Sequence, residues 1–188
     1  MNIIDLTLRV TPKDVGDAKE NLKKAWGGHL GTHYDVMNKE FPLEYMELPA
    51  VAFDVENKGL DEIRVSDIDL SEVEEYGAVA FCSRFIEKVK YGTKEYFARH
   101  PQLSRELIDA LLDKHVRIIV VDFSGLRNGT EHTPTDQYCA DHGTFIVENA
   151  CNLSAILAGR MSARFTLGTY PVNFAGMTGL PCRVVARI

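Results

Sequence analysis

The chain has 188 residues, a net charge of −6 and a composition of 45% hydrophobic and 26% charged residues, which favours one globular domain spanning 1–188. The acidic balance argues against a nucleic-acid backbone or an anionic membrane surface as the main partner. No apolar run approaches bilayer length, and the opening Met-Asn-Ile-Ile-Asp-Leu-Thr does not read as a signal peptide, so the expected location is the cytoplasm. The four cysteines, Cys82, Cys139, Cys151 and Cys182, form no CxxC pair, so reduced, mostly buried thiols are expected rather than a zinc ribbon or a disulfide framework.

Residues 2–9 read as a strand broken by Pro12 and Gly16, and Asp17 to Trp26 as a short helix with Ala18, Leu22, Ala25 and Trp26 on one side. Phe41 to Pro49 reads as irregular, residues 50–55 as a strand, and 56–76 as an acidic loop with Asp67 and Ser71 as candidate caps. Gly77 to Cys82 is a nearly continuous apolar run, as in a buried strand. Tyr91 to His100 carries a short helix. Pro101 to His115 is the clearest helix, with Ser104 as N-cap and Leu107, Ile108, Leu111 and Leu112 as its apolar face. A buried strand follows at Val116–Val121. Thr133-Pro134 reads as a helix start running to about Asp141, closed by Gly143. Thr144 to Val147 is a strand delivering Glu148 at its end, residues 153–157 a turn of helix, and Arg164–Gly168 and Cys182–Ile188 strands. The irregular alternation of helices and strands makes this an α/β domain with a mixed sheet and flanking helices.

Before these elements are joined, one stretch stands out. Gly27-Gly-His29-Leu-Gly-Thr-His33-Tyr-Asp35 places two imidazoles and a carboxylate within seven residues, among three glycines. Glycine disfavours a helix there. In an extended segment, positions 29, 31, 33 and 35 share a face, and Gly31 leaves room for an ion between the histidines. Two neutral imidazoles and a carboxylate suit Zn²⁺, Mn²⁺ or Fe²⁺ better than Ca²⁺ or Mg²⁺. The competing reading is two unrelated loop histidines beside a turn aspartate.

His29-Leu-Gly-Thr-His33-Tyr-Asp35 resembles the HxGTHxD core of the cyclase-like metal-dependent hydrolase family, which includes bacterial kynurenine formamidases and isatin hydrolases. Further segments fit in order: Ile3-Ile-Asp-Leu-Thr7, Pro101-Gln-Leu-Ser104 with its helix and the strand to Asp122, Phe145-Ile-Val-Glu148-Asn149 with Asn152-Leu153, and Gly179-Leu-Pro-Cys-Arg183. The resemblance implies a swivelling β/β/α type of α/β fold. It also implies a homodimer or higher homo-oligomer, and one or two Zn²⁺ or Mn²⁺ ions per subunit. It puts His29, His33, Asp35 and Glu148 on metal-ligand positions. The implied activity is hydrolysis of a small amide, ester or lactam, most specifically that of an arylformamidase of tryptophan catabolism.

Two positions depart from the pattern. The family's acid/base histidine is replaced by Lys39, with Met37 at the preceding proline position, and a histidine ligand twelve residues before the glutamate is replaced by Asp136. Lys39 is expected either to carry the proton, as an amine made neutral beside a dication, or to be a solvated surface lysine. Asp136 is expected to substitute as a ligand, with His132 and His142 as nearby alternatives. Tyr34 alternates away from the ligand face. Phe41, Tyr45, Tyr91 and Phe97 are candidates for an aromatic pocket or for packing, and His100 and His115 read as helix-end capping groups. The alternatives to hydrolysis are a metal-binding protein that binds or regulates without turnover, or a lyase or cyclase.

Overall fold

A computed structural model describes residues 2–188; Met1 and the side chain of Ala25 lie outside the described residues. In chain order the elements are β1 (Ile3–Asp5), α1 (Pro12–Ala18), α2 (Leu22–Trp26), β2 (His33–Asp35), β3 (Glu47–Asp54), β4 (Glu62–Ile63), β5 (Ala78–Cys82), α3 (Phe85–Lys88), α4 (Lys94–Ala98), β6 (Gln102–Leu103), α5 (Arg105–Asp113), β7 (Ile118–Val121), α6 (His132–Asp141), β8 (Phe145–Glu148), α7 (Leu153–Leu157), β9 (Ser162–Pro171) and β10 (Gly179–Arg187). The mixed sheet expected from the sequence is present, but it is closed rather than open.

Strands β3, β5, β7 and β8 run parallel, and β9, β10 and β2 are antiparallel to their neighbours. The order β10-β2-β8-β7-β5-β3-β9 returns to β10 through the β9–β10 ladder, giving a barrel-like ring. Strand β1 shares the β2 edge of β10, at its far end. All seven ring strands send alternate side chains into one cluster, including Tyr34, Ala50, Ala52, Ala80, Val120 and Val147. That cluster is the interior of the ring. The intervening side chains of the parallel half, such as Val51, Phe81 and Ile119, pack outside against α5 through Leu107, Ile108 and Leu111.

Helix α5 begins where the sequence placed it, with Ser104 Oγ accepting from the Leu107 N–H at 3.2 Å. Its four apolar residues are buried, and each contributes about 1.5–3 kcal/mol of burial. The region before the glycine-rich stretch differs from the single helix expected over 17–26. Pro12 does not break structure but starts α1 at its first position, where a missing N–H costs nothing. Thr11 and Asp14 cap each other's backbone there, at 2.8 and 3.3 Å. Trp26 is 70% exposed, so α2 does not bury the apolar side read from the pattern. Pro49 lies within β3, and β10 begins at Gly179 and runs through Pro181, both earlier than expected.

Candidate metal centre

Strands β2 and β8 set the floor of the site. They pair antiparallel with His33 opposite Glu148 and Asp35 opposite Ile146. Because side chains alternate, Tyr34 enters the ring interior, fully buried, with its hydroxyl donating to Thr169 Oγ1 at 2.8 Å. His33 and Asp35 therefore face outward together, beside Glu148. Only residues 33–35 are strand; His29 reaches the same place from the loop after α2. That loop folds tightly because Gly28 adopts φ +83° against β10, where an added Cβ would lie 1.9 Å from the Gly179 carbonyl oxygen.

From the other side α6 contributes its first residue, His132, and Asp136 one turn later, so the two share a face. The resulting groups are His29, His33 and Asp35, and Asp35, His132, Asp136 and Glu148; within each, the ligand atoms lie within 4.8 Å of one another. His29 Nδ1 is 2.8 Å from Asp35 Oδ1, and His33 Nε2 is 3.6 Å from both Asp35 Oδ1 and Glu148 Oε2. His132 Nε2 is 3.1 Å from Asp136 Oδ2 and 3.3 Å from Glu148 Oε1. Ligands bonded at about 2.1 Å in a tetrahedron would stand about 3.4 Å apart.

The cluster does not satisfy itself. Both oxygens of Asp35, together with Asp136 Oδ1, Glu148 Oε1 and His132 Nε2, are buried without a hydrogen-bond partner. Three carboxylates thus converge at 1–3% exposure without a lysine or arginine bonded to them among the described residues, an arrangement costly without a cation. The histidine tautomers fit the same reading. His33 Nδ1–H donates to the Gly31 carbonyl at 2.9 Å, which leaves the Nε2 lone pair for the cluster. His29 Nε2 lies 2.8 Å from Thr178 Oγ1, and with its proton there, Nδ1 turns a lone pair toward His33 Nε2, 3.1 Å away. The donor set, imidazoles plus carboxylates, fits Zn²⁺ or Mn²⁺.

Burial and mutual repulsion govern the titration of these groups. Burial, with Asp35 and Asp136 alongside, holds the Glu148 carboxyl well above the usual carboxylate range. Burial likewise lifts Asp136 to about 6, against the pull of His132. Burial acts the same way on Asp35, but there the adjoining His29 and His33 outweigh it and keep the carboxyl well below its ordinary value. Burial also lowers His29, partly offset by Asp35.

A second layer fixes the floor. Asn149, at φ 57°, donates from Nδ2 to the Gly31 carbonyl at 3.0 Å and accepts from the Tyr96 hydroxyl at 2.8 Å. Thr32 donates to the Asn149 carbonyl and accepts from the Leu8 N–H, both at 2.8 Å. At Gly125 (φ +97°), a Cβ would lie 2.5 Å from His132 Nδ1 and 3.2 Å from Glu148 Oε1. Glycine there is what lets α6 close on β8.

The cluster opens into a cavity of about 480 Å³ whose wall includes Lys23, Lys24, Phe97, His100, Asn128 and His132. Of the sequence-read candidates, the structure brings together His29, His33, Asp35, Asp136 and Glu148, and with them His132, which the sequence offered only as an alternative to Asp136. His132 was read as a loop residue because the helix was started at Thr133. A short 3₁₀ turn at Gly129–Glu131 leads into α6 instead, so His132 is already helical and stands four residues before Asp136.

Lys39 is not brought to the cluster. Its Nζ pairs with Asp141 at 2.7 Å, its side chain is 38% exposed, and it lines a separate cavity with Phe41 and Met46. Met37, at φ 56°, turns the chain away after β2. Lys39 is therefore corrected from proton carrier to surface ion-pair partner. His142 caps the C-terminus of α6, and His115 stacks on Tyr76. Phe41 and Tyr45 pack around Phe145 as part of the ring-interior cluster, whereas Phe97 stands in the cavity wall with Lys24 Nζ 3.6 Å from its ring centre. His100, read as a cap, is instead 3% exposed in the same wall. The four cysteines are free, and among the described residues no helix is long and apolar enough to cross a membrane.

Comparison with known proteins gives one family and one fold. Residues 4–126 match the family model described as "Putative cyclase". A potential metal-dependent hydrolase with cyclase activity superposes with a TM-score of 0.72 at 19% identity, covering 98% of this chain and 96% of the other. Isatin hydrolase A from Labrenzia aggregata, bound to benzyl benzoate, superposes at 0.74 and 17% identity over 98% and 93%. A predicted metal-dependent hydrolase from Bacillus stearothermophilus gives 0.68 at 17% over 98% and 97%. No curated protein sequence matches significantly.

Proposed function

Since the chain belongs to the cyclase family, whose fold it shares with metal-dependent hydrolases, we propose that it is a metal-dependent hydrolase of a small amide, ester or lactam. The observation that carries this reading is the set of buried carboxylate and imidazole atoms left without partners at the floor of an open cavity. His29, His33 and Asp35 would hold one divalent ion, Zn²⁺ or Mn²⁺, and Asp35, His132, Asp136 and Glu148 a second. An ion held there supplies Lewis acidity, acidifying water and polarising a carbonyl oxygen.

The chain's own groups do the rest. The Gly31 carbonyl and Thr178 hydroxyl keep the imidazole lone pairs aimed inward. Phe97 offers an aromatic surface, and Lys23 and Lys24, with no carboxylate partner among the described residues, favour a substrate that carries a negative charge. Those wall residues support an arylformamidase-like specificity, resembling kynurenine formamidase, within the broader class. The same fold relationship supports isatin as a lactam substrate. A homo-oligomer remains part of the proposal through the family resemblance.

The test combines metal content with a substrate panel. Protein purified without chelator should carry about one or two equivalents of Zn or Mn by elemental analysis. It should hydrolyse formylkynurenine, isatin or a simple aryl ester, and lose that turnover on chelation and regain it on metal return. Metal without turnover on any of these would favour a binding or regulatory role. Absence of metal affinity would remove the foundation of both.

A further inference from the structure

His100 is buried in the wall of the cavity that opens over the cluster, beside His132 and Glu148. Its Nδ1 lies 2.7 Å from the Pro101 carbonyl oxygen, which can only accept, so Nδ1 carries the ring proton. That leaves a lone pair on Nε2, and no group among the described residues bonds to it. The ring is clamped rather than free. It stacks on Phe123 with centroids 5.5 Å apart and planes 20° from parallel, and the His100 carbonyl accepts from Asn128 Nδ2 at 2.9 Å. A fixed imidazole that lines the cavity and keeps one nitrogen free of protein partners has what proton transfer requires. Lys39, tied to Asp141, does not line this cavity.

We propose that His100 Nε2 is the proton carrier of this site. This rests on the hydrolase reading above. As water oxygen bonds to the substrate carbonyl carbon, Nε2 takes the water proton and the carbonyl π pair moves onto oxygen. As that oxygen re-forms the carbonyl and the carbon–nitrogen bond breaks, the same proton passes from Nε2 to the leaving nitrogen. One water is consumed, and acid and amine are released. Burial keeps this imidazole neutral over the working range, with its conjugate acid near 4. The same shift makes the ring a weak base toward the water proton and, once protonated, a strong donor to the leaving nitrogen.

The test compares two substrates that differ in their need for that donor: formanilide, whose anilide nitrogen must be protonated to leave, and 4-nitrophenyl formate, whose phenolate leaves without help. H100N keeps an amide N–H for the Pro101 carbonyl but has nothing at the Nε2 position; H100A is the second variant. With metal content matched to wild type by elemental analysis, both variants should lose about 100-fold or more in kcat on formanilide, which needs both proton transfers, and a clearly smaller amount on the ester, which needs only removal of the water proton. Imidazole added to H100A should restore part of the formanilide rate. Independently of turnover, ¹⁵N NMR of the His100 ring should show the Nδ1–H tautomer with and without metal. Equal losses on both substrates, no loss on either, or an Nε2–H tautomer would overturn the proposal while leaving the hydrolase reading in place. A metal-loaded wild type that hydrolyses neither substrate would overturn both.

Discussion

Asp136→Asn separates a carboxylate placed for a cation from one that merely stabilises the fold. Asp136 is 1% exposed with one oxygen unpartnered, and burial lifts its pKa from 3.8 to about 6. At about 1.4 kcal/mol per unit, a rise of roughly two units is about 3 kcal/mol. The folded value lies above the unfolded one, so the associated stability is fully present below pH 3.8 and lost as pH rises through 6. Metal-free wild type should therefore weaken between about pH 4 and 7 by this amount, and D136N should lack that share of the loss while keeping whatever the raised Glu148 carboxyl contributes. At pH 8 the metal-free variant should be the more stable by up to about 3 kcal/mol, or about 6–12 °C in Tm for a domain of this size. At pH 4 the two should coincide. Added Zn²⁺ or Mn²⁺ should reverse the order, because at 1,000 times Kd an ion adds about 4.1 kcal/mol to the form that binds it. Thermal denaturation followed by circular dichroism, with chelator and then with metal, reads all of this. A metal-free D136N that melts below wild type at pH 8 would show that Asp136 stabilises the fold directly and would refute the reasoning.

Three further outcomes follow from the geometry. Lys39→Ala should leave metal content and turnover within about twofold, since it breaks a partly exposed pair with Asp141 that contributes at most about 1 kcal/mol; elemental analysis and the substrate panel check it. Gly125→Ala should cost about 1–3 kcal/mol in urea denaturation through backbone strain at φ +97°. It should also reduce metal stoichiometry, because its Cβ displaces His132 and Glu148. Thr32→Val should destabilise by about 1–3 kcal/mol by leaving the Leu8 N–H and the Asn149 carbonyl without their shared partner. Metal-loaded protein should show a smaller loss, a difference that calorimetry with and without metal measures.

Much of the site was legible because its candidate ligands sit in strands or beside glycines. In β2 the period of two put His33 and Asp35 on one face and Tyr34 on the other, and the structure keeps that alternation. Glu148 could be placed because three apolar residues of β8 lead to it. What the sequence hid was set by starts and closures. The preference for Thr133-Pro134 as a helix start concealed that a 3₁₀ turn feeds α6 one residue earlier and so turns His132 inward. Lys39 looked catalytic because it occupies the position of the family's acid/base histidine, but a positive φ at Met37 breaks the strand and redirects the chain. His100 gave no signal at all, since its role depends on Phe123 and the Pro101 carbonyl placing it in a cavity wall. Ring closure was equally invisible, because pairing of β9 with β10 does not show in either strand's own pattern.

That closure has a bearing on when the protein can acquire an ion. Strand β2 is only three residues long and is held on one side by Gly179–Pro181 and on the other by Ile146–Glu148. A nascent chain emerging from the ribosome presents His29, His33 and Asp35 first, yet it has nothing to register them against until more than a hundred further residues have followed. Pairings so distant in sequence form late and slowly. On the proposed reading, an ion would then be captured after synthesis, by a nearly finished fold, and metal supply during maturation would set how much loaded protein a cell obtains.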